Sequence, residues 1–183
     1  MERSTIIAGF GGQGILFAGT VIARAAMAEG RQVLWIPSYG PEMRGGTASC
    51  TVIVGDTEIG SPVVDRADAV VALNPPSLAK FEAIVAPGGL LVLNDSLIEA
   101  EPTRTDIEIA HVPCTRLAAS AGDDKLVSVV AIGALLARRD FVSVSSVRDA
   151  IAAIVQAKRP AILAADLAAL EAGFRAATGV GVG

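Results

Sequence analysis

The sequence predicts an α/β protein with a doubly wound, mostly parallel sheet, a β-hairpin insertion and C-terminal helices. Up to residue 112, short apolar runs alternate with longer segments of helical periodicity, and glycine or proline separates many of them. Beyond Asp123 mainly helical periodicity remains. Apolar runs of about four to eight residues are typical of buried strands, whereas apolar spacings of three and four residues are typical of helices.

The amino-terminal segment predicts a strand–helix–strand unit. Residues 4–9 and 32–37 are apolar runs, and residues 13–29 between them place apolar side chains at helical spacing. Gly30 is the expected C-terminal stop of that helix. Two strands joined through a helix imply a parallel pair with a right-handed crossover.

The middle of the chain predicts a hairpin and three further core strands. Residues 47–54 are strand-like, and the turn residues Gly55-Asp56 lead into a short segment at 57–59, which together predict the inserted hairpin. Asn74 precedes two prolines, so we expect a helix from there to about residue 85. The three further strands are expected at residues 68–73, 90–93 and 107–112.

The C-terminal third is expected to be helical. We predict helices at 125–139 with Asp123 or Asp124 as the cap, at 145–158 with Ser145 or Ser146 as the cap, and from 160 or 161 to 177. The chain is therefore expected to be a single domain, residues 1–183, with an α/β core at 1–122 and a helical part at 123–178.

Composition excludes several classes of partner. Of the 183 residues 52% are hydrophobic, and the formal net charge is −4. No basic run is longer than Arg138-Arg139, so we expect no nucleic-acid binding. No apolar run approaches the roughly 18 residues of a membrane span, so we expect no membrane. Cys50 and Cys114 lie in strand-like segments and form no C-x-x-C unit, which predicts no metal site and a cytoplasmic protein with buried thiols.

The stretch GFGGQG is the first candidate binding segment, because it follows the first strand and opens the first helix. We expect Gly9 to allow a tight exit from the strand and Gly14 to allow close helix–strand packing. Gly11 and Gly12 let the backbone approach a ligand, and Gln13 adds an amide that can donate and accept hydrogen bonds. Free N–H groups at a helix start suit a phosphate or a carboxylate.

The same spacing occurs in Rossmann-like dinucleotide-binding turns, but a nicotinamide site also requires an acidic residue at the end of the second strand. That strand ends in Ile36-Pro37-Ser38, and Glu42 lies further along in a loop. No arginine is positioned for a 2′-phosphate. We therefore expect a Rossmann-like fold that does not bind NAD or NADP.

The loop SYGPEMRGG after the second strand is the second candidate segment. Arg44 carries a fork-shaped donor suited to phosphate or carboxylate. The alternative is a surface loop in which Glu42 and Arg44 pair with each other or with solvent. The binding residues predicted beyond GFGGQG are Tyr39, Gly40, Glu42, Arg44, Gly45, Gly46 and, after a later strand, Asn74.

No catalytic residue and no metal ligand is predicted. His111 is the only histidine and lies in a strand-like context, so neither a nucleophile–base pair nor a triad can be assembled. No lysine follows GFGGQG as it would in a P-loop. The sequence therefore predicts a binding crevice without a catalytic group of its own.

Four blocks occur in one order: GFGGQGILFAG, SYGPEMRGGTASC, ALNPPSLAKFE and PGGLLVLNDSL. Together they resemble the gamma subunit of 2-oxoacid:ferredoxin oxidoreductases over about residues 5 to 100. The amino-acid sequence of the second block resembles the 2-oxoglutarate and branched-chain oxoacid members more than the pyruvate members.

The resemblance implies a subunit of a larger enzyme that decarboxylates a 2-oxoacid oxidatively, transfers the acyl group to coenzyme A and passes electrons to ferredoxin. The implied partners are alpha- and beta-type subunits, with a ferredoxin-like delta subunit as a further candidate. The holo-complex is expected to use thiamine diphosphate, magnesium and iron–sulfur clusters, none of them bound by this chain alone. GFGGQG and residues 39–46 are expected to face coenzyme A or partner subunits.

Two other functions remain open from the residues alone. A free-standing regulatory module could bind a nucleotide or coenzyme A in the same crevice. An independent dehydrogenase is disfavoured, because both the ribose-binding acid and the catalytic residues are missing.

Overall fold

The computed structural model describes residues 1–38, 47–156 and 162–179. Its strands are β1 (Glu2–Phe10), β2 (Gln32–Ser38), β3 (Thr47–Gly55), β4 (Ala67–Ala72), β5 (Val85–Asn94) and β6 (Glu108–Val112). Its helices are α1 (Ile15–Ala28), α2 (Pro75–Phe81), α3 (Cys114–Ala121), α4 (Val127–Arg138), α5 (Val144–Gln156) and α6 (Leu163–Thr178). Short 3-10 helices at Glu82–Ile84 and Asp124–Leu126 follow α2 and precede α4.

The six strands form one sheet in the order β2-β3-β1-β4-β5-β6. Strands β1, β4, β5 and β6 are parallel, whereas β3 is antiparallel to both β1 and β2. Strand β1 is therefore paired on both edges, with Ile6 opposite Thr51 of β3 and opposite Val70 of β4. The predicted α/β class with a mostly parallel sheet is confirmed.

The position of β3 differs from the prediction in two ways. Strands β1 and β2 are not neighbours, because β3 lies between them. The hairpin partner of β3 is β2, with Trp35 opposite Val52, and residues 57–59 form no strand. The reason is burial: seven of the nine residues of β3 are buried, and a three-residue strand could not have covered its second edge.

Helix α3 is a second difference, since Cys114 was expected in a strand and instead begins this helix. It follows Pro113, which has no N–H to continue the ladder of β6. The cap of α5 lies at Ser143, two residues before the nearer of the two expected caps. Ser143 Oγ accepts a hydrogen bond from Ser146 N at 3.1 Å, so Ser145 and Ser146 lie inside the helix.

The expected cap at Asp123 is confirmed, because its Oδ1 accepts a hydrogen bond from Lys125 N at 2.9 Å. This cap opens the 3-10 turn, and the α-helix proper begins later, at Val127. Helix α2 ends at Phe81 rather than near residue 85, because the chain tightens into the 3-10 helix before β5 begins at Val85.

Helices cover both faces of the sheet. On one face, side chains such as Ile7, Val71 and Val92 pack with α1, α3, α4, α5 and α6. On the other face, side chains such as Ile6 and Val70 pack with α2. In the described part of the chain no helix is long and apolar enough to span a membrane.

Helix α4 is the centre of the helical layer, and all its residues from Val127 to Leu136 are buried. It crosses α6 with the two backbones in contact. A Cβ on Gly133 would overlap the backbone of Leu170, and a Cβ on Gly173 would overlap the carbonyl of Val130. This close crossing holds α4 against α6, and it also fixes the position of the N-terminus of α4.

Candidate ligand cleft

A surface cleft of about 360 Å³ lies where β1 ends and α1 begins. Its lining combines the glycine turn, the first turn of α1, Ala48 at the start of β3, and Lys125. The volume falls in the range of small-molecule sites. The cleft lies beyond the carboxyl end of β1, which is where ligands bind in open α/β sheets.

The turn adopts backbone conformations that favour glycine. Gly12 has a φ of +93° and Gly14 a φ of +79°, values that side-chain-bearing residues rarely adopt. Gly11 and Gly12 are exposed, and a Cβ on either would meet none of the described atoms within 4 Å. The backbone is thus open to a ligand at the N-terminus of α1, where free N–H groups carry partial positive charge.

Gly14 is close to a helix and not, as expected, to a strand. A Cβ at this position would lie 2.5 Å from Ser128 Oγ in α4 and 3.4 Å from the carbonyl oxygen of Lys125. The starts of α1 and α4 therefore meet at Gly14. This contact brings Lys125 to the cleft.

The side-chain amide of Gln13 makes two hydrogen bonds within the protein. Its Oε1 accepts a hydrogen bond from Phe10 N at 2.6 Å, and its Nε2 donates to the carbonyl of Leu73 at 3.4 Å. Gly9 provides the space for this amide, since a Cβ on Gly9 would overlap Gln13 Oε1 and lie 3.0 Å from Leu73 Cβ. Gly9 and Gln13 therefore support the turn on the side away from the cleft. The residues of the turn that line the cleft are Gly11, Gly12 and Gly14.

Asn74 is fully buried and does not line the cleft. Its Oδ1 accepts a hydrogen bond from Ser77 N at 2.8 Å, which caps α2 as its position before two prolines indicated. Its Nδ2 is buried and has no hydrogen-bond partner among the described residues. A direct contact with a ligand would require Asn74 to become accessible.

Six of the nine residues that line the cleft were not predicted from the sequence, and three of these six carry a charged or aromatic side chain. Lys125 is exposed at its rim, and Phe10 and Phe17 supply aromatic surface. The cap pattern of residues 123–125 placed Lys125 at the start of a helix. Only the meeting of α1 and α4 shows that this start adjoins the glycine turn.

The loop that carries Tyr39, Gly40, Glu42, Arg44, Gly45 and Gly46 lies outside the described residues. Its flanking residues are described. Thr47 is opposite Phe10 in the β1–β3 ladder, and Ser38 is opposite Ser49 in the β2–β3 ladder. The loop therefore begins and ends at the same edge of the sheet as the glycine turn.

Strand order supplies an independent argument against a dinucleotide site. In that site, the acidic residue after the second strand reaches the ribose because the second strand neighbours the first. Here β3 separates β1 from β2, so the end of β2 lies two strand spacings, about 10 Å, from the end of β1. Neither the residue type at the end of β2 nor the distance of this strand end from β1 fits an NAD site.

The described residues contain no group of three or more His, Cys, Asp or Glu side chains that could hold a metal ion. The two thiols are buried. Desolvation raises the pKa of Cys50 to about 12 and raises that of Cys114 further still, so neither is a thiolate at neutral pH. The chemistry that the cleft offers is binding by backbone N–H groups, one lysine and aromatic surface.

These features define an α/β chain with a cleft suited to an anionic ligand. The chain belongs to the pyruvate ferredoxin/flavodoxin oxidoreductase family, whose model matches residues 4–176. It is 42% identical over 131 residues to the ketoisovalerate oxidoreductase subunit VorA of Methanothermobacter thermautotrophicus, covering 72% of this chain. The match spans only 27% of the length of that relative.

Two solved structures share the fold. The gamma subunit of a keto/oxoacid ferredoxin oxidoreductase from Geobacter sulfurreducens superposes with a TM-score of 0.83 at 28% identity, covering 96% of this chain and 98% of that one. The 2-oxoglutarate:ferredoxin oxidoreductase of Magnetococcus marinus, solved with 2-oxoglutarate, coenzyme A and succinyl-CoA, gives 0.88 at 22% identity, covering 100% of this chain and 32% of that one. The resemblance to gamma subunits is confirmed.

Proposed function

We propose that this chain is the gamma subunit of a thiamine-dependent 2-oxoacid:ferredoxin oxidoreductase and that its cleft forms part of the coenzyme A side of the active site. The observation that carries the proposal is the composition of the cleft. Open glycine backbone at the N-terminus of α1 and the ammonium group of Lys125 suit the phosphates of coenzyme A. Phe10 and Phe17 suit its apolar and aromatic parts.

The chain acts by binding and not by bond making. The described residues supply neither a metal-ligand cluster nor a reactive thiol, so we assign thiamine diphosphate, magnesium and the iron–sulfur clusters to alpha-, beta- and delta-type partners. The complex would then decarboxylate a 2-oxoacid, transfer the acyl group to coenzyme A and pass the electrons to ferredoxin. The role of this chain in that reaction is to hold the co-substrate while its thiol end reaches the partner subunits.

Exposed apolar side chains support assembly with partners. Phe10 is 38% exposed, Trp35 39% and Met27 65%, although such side chains are more often buried. The sequence of residues 38–50 supports a branched-chain oxoacid or 2-oxoglutarate as the substrate, and the relationship to VorA favours the branched-chain oxoacid. Two free, buried thiols support the cytoplasm as the compartment.

The direct test is assembly followed by kinetics with coenzyme A. The chain should co-purify from its native source with thiamine- and cluster-bearing partners. In the reconstituted complex, Lys125→Ala should raise the KM for coenzyme A about tenfold, as expected for a lost hydrogen bond to a charged group, and should leave the KM for the oxoacid unchanged. Arg44→Ala should weaken coenzyme A use or assembly.

Lys80→Ala is the matched control, because Lys80 lies on α2 and packs over the Phe81 ring away from the cleft. A chain that elutes alone and restores no activity would reject the subunit role. Unchanged coenzyme A kinetics in Lys125→Ala would reject the cleft as its site. Calorimetry on the chain alone with coenzyme A, NAD and ATP tests the regulatory module, which micromolar binding of NAD or ATP would favour.

A further inference from the structure

Hydrogen bonds on the side of the Gly11–Gly12 turn away from the cleft link the ends of β1, β4 and β5. Gln13 Nε2 donates to the carbonyl oxygen of Leu73 at 3.4 Å, just beyond the end of β4. The same carbonyl oxygen accepts a hydrogen bond from Asn94 Nδ2, at the end of β5, at 3.1 Å. The half-buried amide of Gln13 and the buried amide of Asn94 therefore donate to the same carbonyl oxygen. We call these three residues, Gln13, Leu73 and Asn94, the bracket.

The far end of the bracket is anchored in α3. Asn94 Nδ2 also lies 3.0 Å from Thr115 Oγ1, and Asn94 Oδ1 accepts a hydrogen bond from Thr115 N at 3.2 Å. Asn94 is fully buried, so its amide has no competing water. The preceding peptide group is held as well, because the Leu73 N–H donates to the Ala8 carbonyl oxygen at 2.9 Å.

Among the described residues, the tip of the turn has no comparable support. Gly11 and Gly12 have no side chains, and a Cβ on either would meet none of the described atoms within 4 Å. The Gln13 side chain closes the turn, through Phe10 N at 2.6 Å, and also ties it to the sheet. The backbone that faces the cleft therefore depends on the orientation of this amide.

We propose that Asn94 is a positioning residue for the ligand of the cleft, acting through the Leu73 carbonyl and Gln13 on the Gly11–Gly12 backbone. The inference rests on the proposed function, in which that ligand is coenzyme A. Asn94 is not among the residues that line the cleft. Its amide directs the Leu73 carbonyl, the carbonyl directs Gln13, and Gln13 sets the direction of the N–H groups that meet the anion.

The test uses Asn94→Ala, Gln13→Met and the double variant, each in the full-length chain and in the reconstituted complex. Gln13 is only half-buried, so Gln13→Met keeps the proposal testable if Asn94→Ala fails to fold. Ser96→Ala is the matched control. Its hydroxyl accepts a hydrogen bond from Arg116 N at 3.3 Å, so it also links the end of β5 to α3, but it does not reach the turn.

Two measurements separate positioning from general destabilisation. In Asn94→Ala, hydrogen exchange at the backbone amides of Phe10 and Gln13 should become about fivefold faster, because about one ordinary hydrogen bond is lost. Exchange in the core of β1 should change little. The KM for coenzyme A should rise by a similar factor while kcat stays near that of the parent. The double variant should be no worse than the more affected single variant, because both act through one carbonyl.

Unchanged exchange at the turn in folded Asn94→Ala and Gln13→Met would overturn the bracket. Additive effects in the double variant would overturn it as well, as would equal effects in Ser96→Ala. Faster exchange with an unchanged KM for coenzyme A would support the bracket and reject coenzyme A as the ligand, which is the failure of the proposed function and not of the positioning.

Discussion

The indole of Trp35 in β2 covers Gly19 of α1 so closely that a Cβ on Gly19 would lie 2.5 Å from Trp35 Nε1. The same Cβ would lie 2.6 Å from Cys50 Sγ in β3. A glycine in a helix interior normally costs about 0.5–1 kcal/mol relative to alanine. Here the glycine allows α1 to approach the edge of the sheet, so that the partly exposed Trp35 packs on it.

Gly19→Ala should therefore lower the free energy of unfolding by about 1–3 kcal/mol, as for overpacking, despite the better helix propensity of alanine. Trp35 is the only tryptophan, so its fluorescence reports this contact, and its emission should shift to the red. Thr20→Ala at the adjacent position should leave the emission unchanged. A more stable Gly19→Ala protein with unshifted emission would contradict the packing.

The crossing of α4 and α6 should be equally intolerant of side chains. Gly133→Ala and Gly173→Ala each force a Cβ against backbone of the facing helix, so the helices must separate, at a cost of at least about 1–3 kcal/mol in the free energy of unfolding. Gly60→Ala is the control, because a Cβ there meets nothing within 4 Å and should be nearly neutral. Urea denaturation checks all three, and equal midpoints would show that the helices do not cross this closely.

Asp166 should make stability depend on pH. It is 4% exposed in α6, and desolvation, with the nearby Asp123 carboxylate as a second cause, raises its pKa above the ordinary range. Because the folded protein then holds this proton more tightly than the unfolded chain, the contribution of Asp166 to stability is fully present below the ordinary carboxyl pKa. This contribution is lost as the pH rises through the raised pKa.

Asp166→Asn should remove this loss, so the variant should be more stable than the parent at neutral pH and equal to it at acidic pH. Thermal unfolding between pH 4 and pH 8 measures the difference. Asp149→Asn, at an exposed carboxylate on α5, should give a curve parallel to the parent. A pH-independent difference for Asp166→Asn would mean that the effect is not one of titration.

The two thiols should be unreactive in the folded chain. Burial raises the pKa of Cys50 to about 12 and that of Cys114 further, so at pH 8 almost no thiolate forms at either. A water-soluble disulfide reagent should react only slowly with the native protein. After unfolding, the same reagent should react rapidly with both thiols. Fast reaction of one thiol in the native state would show that its strand or helix opens locally.

The sequence allowed the first strand, the glycine turn and α1 to be predicted well, because each depends on local signals. The apolar run of β1, the glycines after it and the helical spacing from Ile15 all act within about twenty residues. Asn74 gave an equally local signal, and it does cap α2. Its contact with a ligand stays a prediction, since the same polar residue type serves a cap and a ligand site.

Strand order and the far side of the cleft could not be predicted, because they depend on contacts distant in sequence. Nothing local shows that β3 pairs with β1 on one edge and β2 on the other. Lys125 and Gly14 are brought together only by the packing of α4. Helix α3 was missed because its eight residues are too few to show a clear period beside a strand-like segment.

The central position of β1 has a consequence for how the chain is made. β1 is synthesised before both of its partners, which come from Thr47–Gly55 and Ala67–Ala72. During translation the backbone N–H and C=O groups at its edges therefore stay unpaired until β3 and then β4 have left the ribosome, and pairing over such separations is slow. The segment that leads into the glycine turn is thus exposed to chaperones until both partner strands have been made.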